Sequence, residues 1–326
     1  MTDTLSQFSV LSLYSAMAIY AIAFILFTFD LARGAGREAS AAAASDSIVQ
    51  STGEGSIATL TRVKPDAATV PRGRGRLARI AMAMTWLAFV FQLVATVLRG
   101  VAASRVPWAN MFEFALTGTL IITLVFLIVN LKWDLAFVGA FSIGLVLLLL
   151  GLAATRYYVE VVPLPPALQS YWLVIHVFVA TLGTGFFALG FALSLTQLLQ
   201  TRREQRGVEG KPTRLGWLTR LPDSAQLENY AYRLIIIGFI FWTFTLIAGA
   251  VWAEKAWGRY WGWDTKEVWT FIIWTIYAGY IHARSTRGWR GTRSAVLAMV
   301  GFAAVMFNFT VVNIYFKGLH AYSGLS

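Results

Sequence analysis

Apolar residues run along this chain in long uninterrupted blocks separated by short polar connections. Eight blocks are long enough to cross roughly 30 Å of hydrocarbon: residues 8–29, 80–98, 112–131, 135–155, 171–198, 234–253, 268–284 and 294–316. They predict an all-α fold, a polytopic membrane bundle of about eight transmembrane helices. The first block lacks a basic leader and a small-residue cleavage site and runs straight on to Asp30 and an arginine-bearing loop, so we expect it to be retained as a span. One long connection breaks the pattern. From Gly34 to Leu77 the chain is rich in Ala, Ser, Gly, Thr and Arg without apolar periodicity, which predicts a disordered linker dispensable for chemistry. The expected organisation is a first transmembrane helix over 1–30, a flexible basic cytoplasmic linker over 31–78, and a membrane domain over 79–326.

Composition agrees with this reading. The chain is 57% hydrophobic and 13% charged, with a mean hydropathy of +0.62, which describes a protein whose solvent is mostly lipid. A net charge of +11 suggests nucleic acid until its placement is considered. Nineteen of the 27 basic residues fall in alternate connections, among them Arg72, Arg74, Arg76, Arg202, Arg203, Arg206, Arg284 and Arg290. By the positive-inside rule these connections face the cytoplasm and both termini face outward. The basic residues orient the protein and do not form a nucleic-acid patch.

That orientation collects four unusual segments on the outer side: RVPWANMFEF (105–114), VVPLPPALQSYW (161–172), a tryptophan-rich loop before the seventh span, and GLHAYSG (318–324). The chain shows no internal repeat, phosphate-binding glycine loop or nucleophile elbow. It has only three histidines. His176 lies near the outer start of the fifth span and His320 just beyond the outer end of the eighth, both at the surface that carries the tryptophans. His282 lies inside the seventh span, where an ionisable group is costly and so points to function. The plain alternative for each is a neutral imidazole bonded to a neighbouring helix. Two imidazoles can ligate a haem iron from opposite faces. His282, about 18 residues beyond Asp264 and so some 27 Å deeper, cannot share that haem and would mark a second station.

Trp257, Trp261, Trp263 and Asp264 stand in WGRYWGWD, where Gly258 and Gly262 permit close approach to a flat ligand. An interfacial aromatic belt is the ordinary role of tryptophan and is expected for Trp252 and Trp274, but a belt does not concentrate three tryptophans and an aspartate in eight residues. A flat aromatic surface beside a scarce axial ligand suggests a planar, metal-centred guest, and haem is the obvious candidate. Lys255, Arg259 and Lys266 are the cations available for its propionates, and Asp264 is expected to pair with Lys266 or with groups around the ligand. Asn110 and Glu113 either shape the site or cap the third span, with the structural role favoured.

These residues carry a family resemblance. WGRYWGWDTKEVW (257–269) resembles the WWD signature of haem-handling membrane proteins, and its continuation to His282 is similar to the CcsA (ResC) branch of system II cytochrome c biogenesis. VPWANMFEF, PALQSYWLVIH and GLHAYSG resemble that branch's outer motifs, and the match runs from about Leu77 to the end. Thr265 departs from the pattern, because the family more usually carries proline there. The resemblance implies that the membrane domain handles haem b as a bound substrate, with His176 and His320 as external axial ligands beneath the tryptophan-rich loop (about 252–269). His282 would serve a haem site within the membrane, with a second histidine from a CcsB (ResB) partner. The implied activity is that of a cytochrome c haem lyase or synthase component. It acts with CcsB and joins haem vinyl groups to the thiols of CXXCH in apocytochrome c, with a thiol-reducing protein as a further partner. The location implied is the bacterial cytoplasmic membrane with an external active face, or the thylakoid membrane in a plastid. The absence of cysteine fits a catalyst whose substrate brings the thiols and whose contribution is positioning. Other readings are a CcmC-like haem-delivery protein, a CcmF-like ligase component, a haem exporter without ligation activity, and a transporter of an unrelated solute.

Overall fold

A computed structural model describes residues 2–49, 75–161, 164, 168–210, 216–286, 289–316 and 318–320, with 34–49, 216 and 220 described by backbone alone. In hydrocarbon every backbone N–H and C=O needs a partner within the chain, and long apolar blocks satisfy that need as helices. The described elements are α1 (Thr2–Val49), α2 (Arg76–Ala103), α3 (Met111–Lys132), α4 (Gly139–Arg156), α5 (Tyr171–Val208), α6 (Ser224–Trp257), α7 (Thr265–Ser285) and α8 (Thr292–Phe307). Helix α8 continues through a π turn at Asn308–Val312 into a last turn at Asn313–Tyr315. The all-helical membrane bundle expected from the apolar blocks is therefore what forms.

Seven of these segments are long and apolar enough to cross a membrane, and α7 is the exception. Its 21 residues give about 32 Å of length, but Trp, Tyr, Thr and His replace much of the aliphatic content found in the others. Its neighbours supply what lipid would not. The indole of Trp242 on α6 donates to the Thr270 carbonyl at 3.1 Å, and the indole of Trp274 donates to the Thr243 hydroxyl at 3.0 Å. Helix α1 runs beyond Asp30 to Val49, through the first part of the segment expected to be a linker; residues 50–74 lie outside the described residues.

Two polar knots define opposite ends of the bundle. At one, Arg284 near the end of α7 donates to Glu228 and, at 2.7 Å, to Asn229, while Glu228 accepts from the Gly291 N–H at 3.0 Å. This joins the start of α6, the end of α7 and the start of α8. At the other end, Arg99 of α2 donates from Nε to Glu113 of α3 at 3.0 Å and from Nη2 to the Val159 carbonyl beyond α4 at 2.7 Å. Arg105 adds a 2.6 Å bond to the same carboxylate, which is fully buried. Asn110 caps α3 by accepting from the Glu113 N–H at 2.9 Å. Glu113 thus takes the structural role, while Asn110 both caps α3 and lines the cavity described below. The Ser9 hydroxyl of α1 donates to the Ala95 carbonyl at 2.7 Å near the outer part of α2. Both described chain termini therefore lie at the end that carries the tryptophan-rich loop.

Helices α5 and α6 cross closely because small residues face each other, the usual basis of association where lipid removes the hydrophobic driving force. A Cβ on Gly190 would stand 2.6 Å from Ile235 Cγ1 and 3.8 Å from the Ala231 carbonyl, whereas one on Gly207 would meet nothing within 4 Å. Gly190→Val should destabilise the protein by about 1–3 kcal/mol through overpacking, read as a lower thermal midpoint in detergent. Gly207→Ala should not lower that midpoint, since alanine is the better helix former where nothing is displaced.

Candidate functional site

The end of the bundle that carries the tryptophan-rich loop encloses an open cavity of about 1500 Å³, counting its mouth. Its walls come from α3, α5, α6, α7 and α8. Ile122 on its floor lies eleven residues into α3, about 17 Å from that helix's outer end. The lining is mostly apolar, and His176, His320 and Trp261 all face it.

His176 projects from the second turn of α5. Its Nδ1 lies 3.0 Å from the backbone carbonyl of Thr245 on α6, 69 residues away. A carbonyl only accepts, so the contact places the proton on Nδ1 and leaves the Nε2 lone pair for a ligand. Gly249 makes the approach possible. A Cβ there would stand 2.7 Å from the His176 Cε1, so any side chain four residues after Thr245 would displace the ring. The imidazole stacks on the indole of Trp252, with centroids 5.7 Å apart and planes 17° apart.

His320 reaches the same indole from another direction, 5.3 Å away and at 68°, and packs edgewise on Trp257 at 4.8 Å. Its Nδ1 is 3.1 Å from Asp264 Oδ2. A carboxylate likewise fixes the proton on Nδ1 and frees Nε2. The bond to His320 holds the Asp264 carboxyl below the usual carboxylate range. That contact therefore adds stability above the ordinary carboxylate value and loses it as pH falls through the lowered one.

The first turn of α7 organises the loop above. Glu267 accepts from the backbone N–H of Gly262 at 2.8 Å and of Asp264 at 3.0 Å, and Arg259 donates to it at 3.2 Å. With Asp264 it forms a capping box. Thr265 occupies the first helical position, where the N–H has no partner within the helix and proline is equally at home. The departure at Thr265 therefore leaves the turn intact.

Other expectations fare differently. Trp257 backs His320 and lies under the Arg259 guanidinium, 5.8 Å from its ring centroid. Trp263 is 76% exposed, with a φ of 59°, and leans edgewise on Trp261 instead of facing the cavity. Asp264 serves His320, where a pairing with Lys266 was one of the alternatives. Trp252, expected in a belt, is 2% exposed and sits between the two histidines; the correction follows from its place on the inner side of α6, which only the packing of α5 and the C-terminal segment defines. Trp274, also expected in a belt, bonds Thr243 and stacks on Phe271 with rings 10° apart. Lys255 pairs with Glu254 and Arg259 with Glu267, so of the three cations only Lys266 lines the cavity. His282 is exposed on α7 near the opposite end, close in sequence to the Arg284–Glu228 knot and far from the cavity. Thr245, Gly249, Asn308 and Asn313 were not legible from sequence, because their roles depend on which helix stands opposite.

A family model described as cytochrome C assembly protein matches residues 106–320, which includes every segment of this site. The chain is 34% identical over 253 residues to cytochrome c biogenesis protein CcsA of Trieres chinensis, covering 70% of this chain and 81% of that one. It is 32% identical over 270 residues to the CcsA of Synechococcus sp. (strain CC9605), covering 77% and 88%. A solved structure of the cytochrome c heme lyase CcmF shares the fold, with a TM-score of 0.63 at 19% identity; the match covers 94% of this chain and 46% of that one. With His176 and His320, the capped tryptophan loop and the all-helical bundle inside the matched regions, this chain belongs to the CcsA family of cytochrome c assembly proteins.

Proposed function

We propose that this chain is the CcsA component of a cytochrome c synthase, which carries haem b across a membrane as substrate and presents it to apocytochrome c on the outer side. The observation that carries the reading is the pair His176 and His320: both Nδ1 atoms are held by acceptors and both rings line one large apolar cavity. Two imidazoles prepared in this way suit the two axial positions of a haem iron. Trp252 and Trp261, which line the cavity, give the macrocycle flat apolar surfaces, and Trp257 packs edgewise behind Trp252. The reaction adds each thiol of a CXXCH segment across a haem vinyl group. A C–S bond forms, the thiol proton goes to the other vinyl carbon, and no net oxidation occurs. The protein's part is to hold and orient, a contribution worth several orders of magnitude when reacting atoms are kept in contact.

His282 is the inner station in this reading. It is exposed on α7, where a histidine of a CcsB-like partner can complete a haem site within the membrane. A thiol-reducing protein keeps the apocytochrome cysteines reduced, and the cytoplasmic membrane of a bacterium, or the thylakoid in a plastid, is the setting.

Copurified with a CcsB-like partner, the chain should show a reduced low-spin haem spectrum. His176→Ala with His320→Ala should markedly weaken it, leaving at most the signal of the His282 site, and an undiminished spectrum in the double variant overturns the assignment. Thioether formation on a CXXCH peptide separates a synthase from a haem exporter using the same cavity. His282→Ala should leave the outer site empty of haem while the protein still folds; normal loading contradicts an inward-to-outward route. Asp264→Ala should weaken haem binding about 10–100-fold, the range for losing the group that orients a ligating histidine, with the low-spin spectrum shifted towards that of His320→Ala.

A further inference from the structure

One corner of this mostly apolar cavity gathers a cation and two side-chain amides. Lys266, in the first turn of α7, lines it, and its Nζ donates to Asn313 Oδ1 at 2.6 Å. Among the described residues that amide is its only hydrogen-bond partner, and it enters no ion pair. The neighbouring carboxylates are engaged elsewhere: Asp264 by His320, and Glu267 by Arg259 and two loop N–H groups. Asp264 acts on the ammonium only from beyond ion-pair distance, and an ammonium in a low-dielectric cavity with no carboxylate in contact is costly. It also stands at a helix N-terminus, where the peptide dipoles disfavour a cation.

Helix α8 is shaped to meet it. The π turn at Asn308–Val312 closes hydrogen bonds five residues apart and so brings residues five apart towards one side. Asn308 and Asn313 are five apart, and both line the cavity. Asn308 is 6% exposed and its Oδ1 has no hydrogen-bond partner. Because the oxygen and nitrogen of a side-chain amide can exchange places by rotation, this group can offer its N–H₂ to the cavity as readily. Lys266 spends one N–H on Asn313 and Asn308 Nδ2 makes only a long 3.5 Å contact with the Thr270 hydroxyl, so the ammonium and the Asn308 amide keep hydrogen-bonding capacity for a carboxylate.

Resting on the reading of the cavity as a haem site, we propose that Lys266, carried by Asn313 on the π turn, binds a haem propionate and thereby fixes the rotation of the macrocycle between His176 and His320. Haem is symmetric about its iron in neither its vinyl nor its propionate edge, so anchoring one propionate decides where the vinyl groups point. Apolar stacking on tryptophan cannot make that choice, because it is indifferent to rotation in the ring plane. Lys266 is then a specificity-determining residue of the outer site.

The test compares haem with iron protoporphyrin IX dimethyl ester, which keeps the ring, vinyls and iron but has no carboxylate. Binding of each is titrated by absorbance to the full chain in detergent, as wild type, Lys266→Met and Lys266→Arg. Wild type should prefer haem by roughly tenfold or more, as expected for one charge-assisted contact in a desolvated site. Lys266→Met should cut the preference to within about twofold while keeping the low-spin spectrum, and Lys266→Arg should restore most of it. If Lys266→Met binds both ligands with a low-spin spectrum and keeps the preference, the propionate assignment fails and the haem site stands. If wild type binds neither, both fail.

Discussion

Two carboxylates in the first turn of α7 hold the upper half of this molecule in place. Glu267 gathers the backbone of Gly262 and Asp264 and the guanidinium of Arg259, which folds the tryptophan-rich loop down onto the helix start. Asp264 takes Nδ1 of His320 and so ties the C-terminal segment to the same turn. Without the first contact the loop has no fixed shape, and without the second the C-terminal histidine has no fixed direction. Negative groups belong at a helix N-terminus, so α7 itself stabilises the pair that does this.

Lys266 breaks that rule in the same turn. Its neighbours on either side satisfy the dipole, while Lys266 opposes it and faces an apolar cavity with an amide as its partner. A stable protein with no ligand to accommodate gains nothing from such a residue, and local conflicts of this kind concentrate at functional sites. The π turn of α8 is a second departure from regular structure at the same cavity. The two irregularities meet at one corner, where Lys266 bonds Asn313.

The two ends of the bundle differ in how they are held. The end opposite the cavity is closed by Arg284 and Glu228, which join three helices. At the cavity end, Glu113, Arg99 and Arg105 join α2, α3 and the segment beyond α4. That knot positions the α3 start, so that Asn110 and Phe114 reach the cavity wall without the ion pairs themselves taking up cavity space. The α5–α6 pair carries the deepest wall, with Gly183 and Gly190 allowing the approach that brings the Thr245 carbonyl to His176.

Much of this was legible in the sequence. Apolar block length settles helix number because hydrocarbon admits few other backbone arrangements, and the scarcity of histidine made His176 and His320 conspicuous. The aromatic loop was legible because three tryptophans and an aspartate in eight residues have no ordinary explanation. Some of the site was hidden. Trp252 looked like a belt residue because its helix face becomes interior only when α5 and the C-terminal segment pack against it. Trp263 looked like a cavity residue, yet its left-handed backbone turns it outward. Thr245 and Gly249 contribute a carbonyl and an empty space, which no residue identity announces. Sequence alone determined that this chain is a membrane helical bundle with a histidine-bearing aromatic site, since hydropathy and rare residues are local properties. Tertiary structure alone decided the tautomers of the two histidines and which of Lys255, Arg259 and Lys266 faces the cavity. Those depend on which groups, tens of residues away, come within 3 Å.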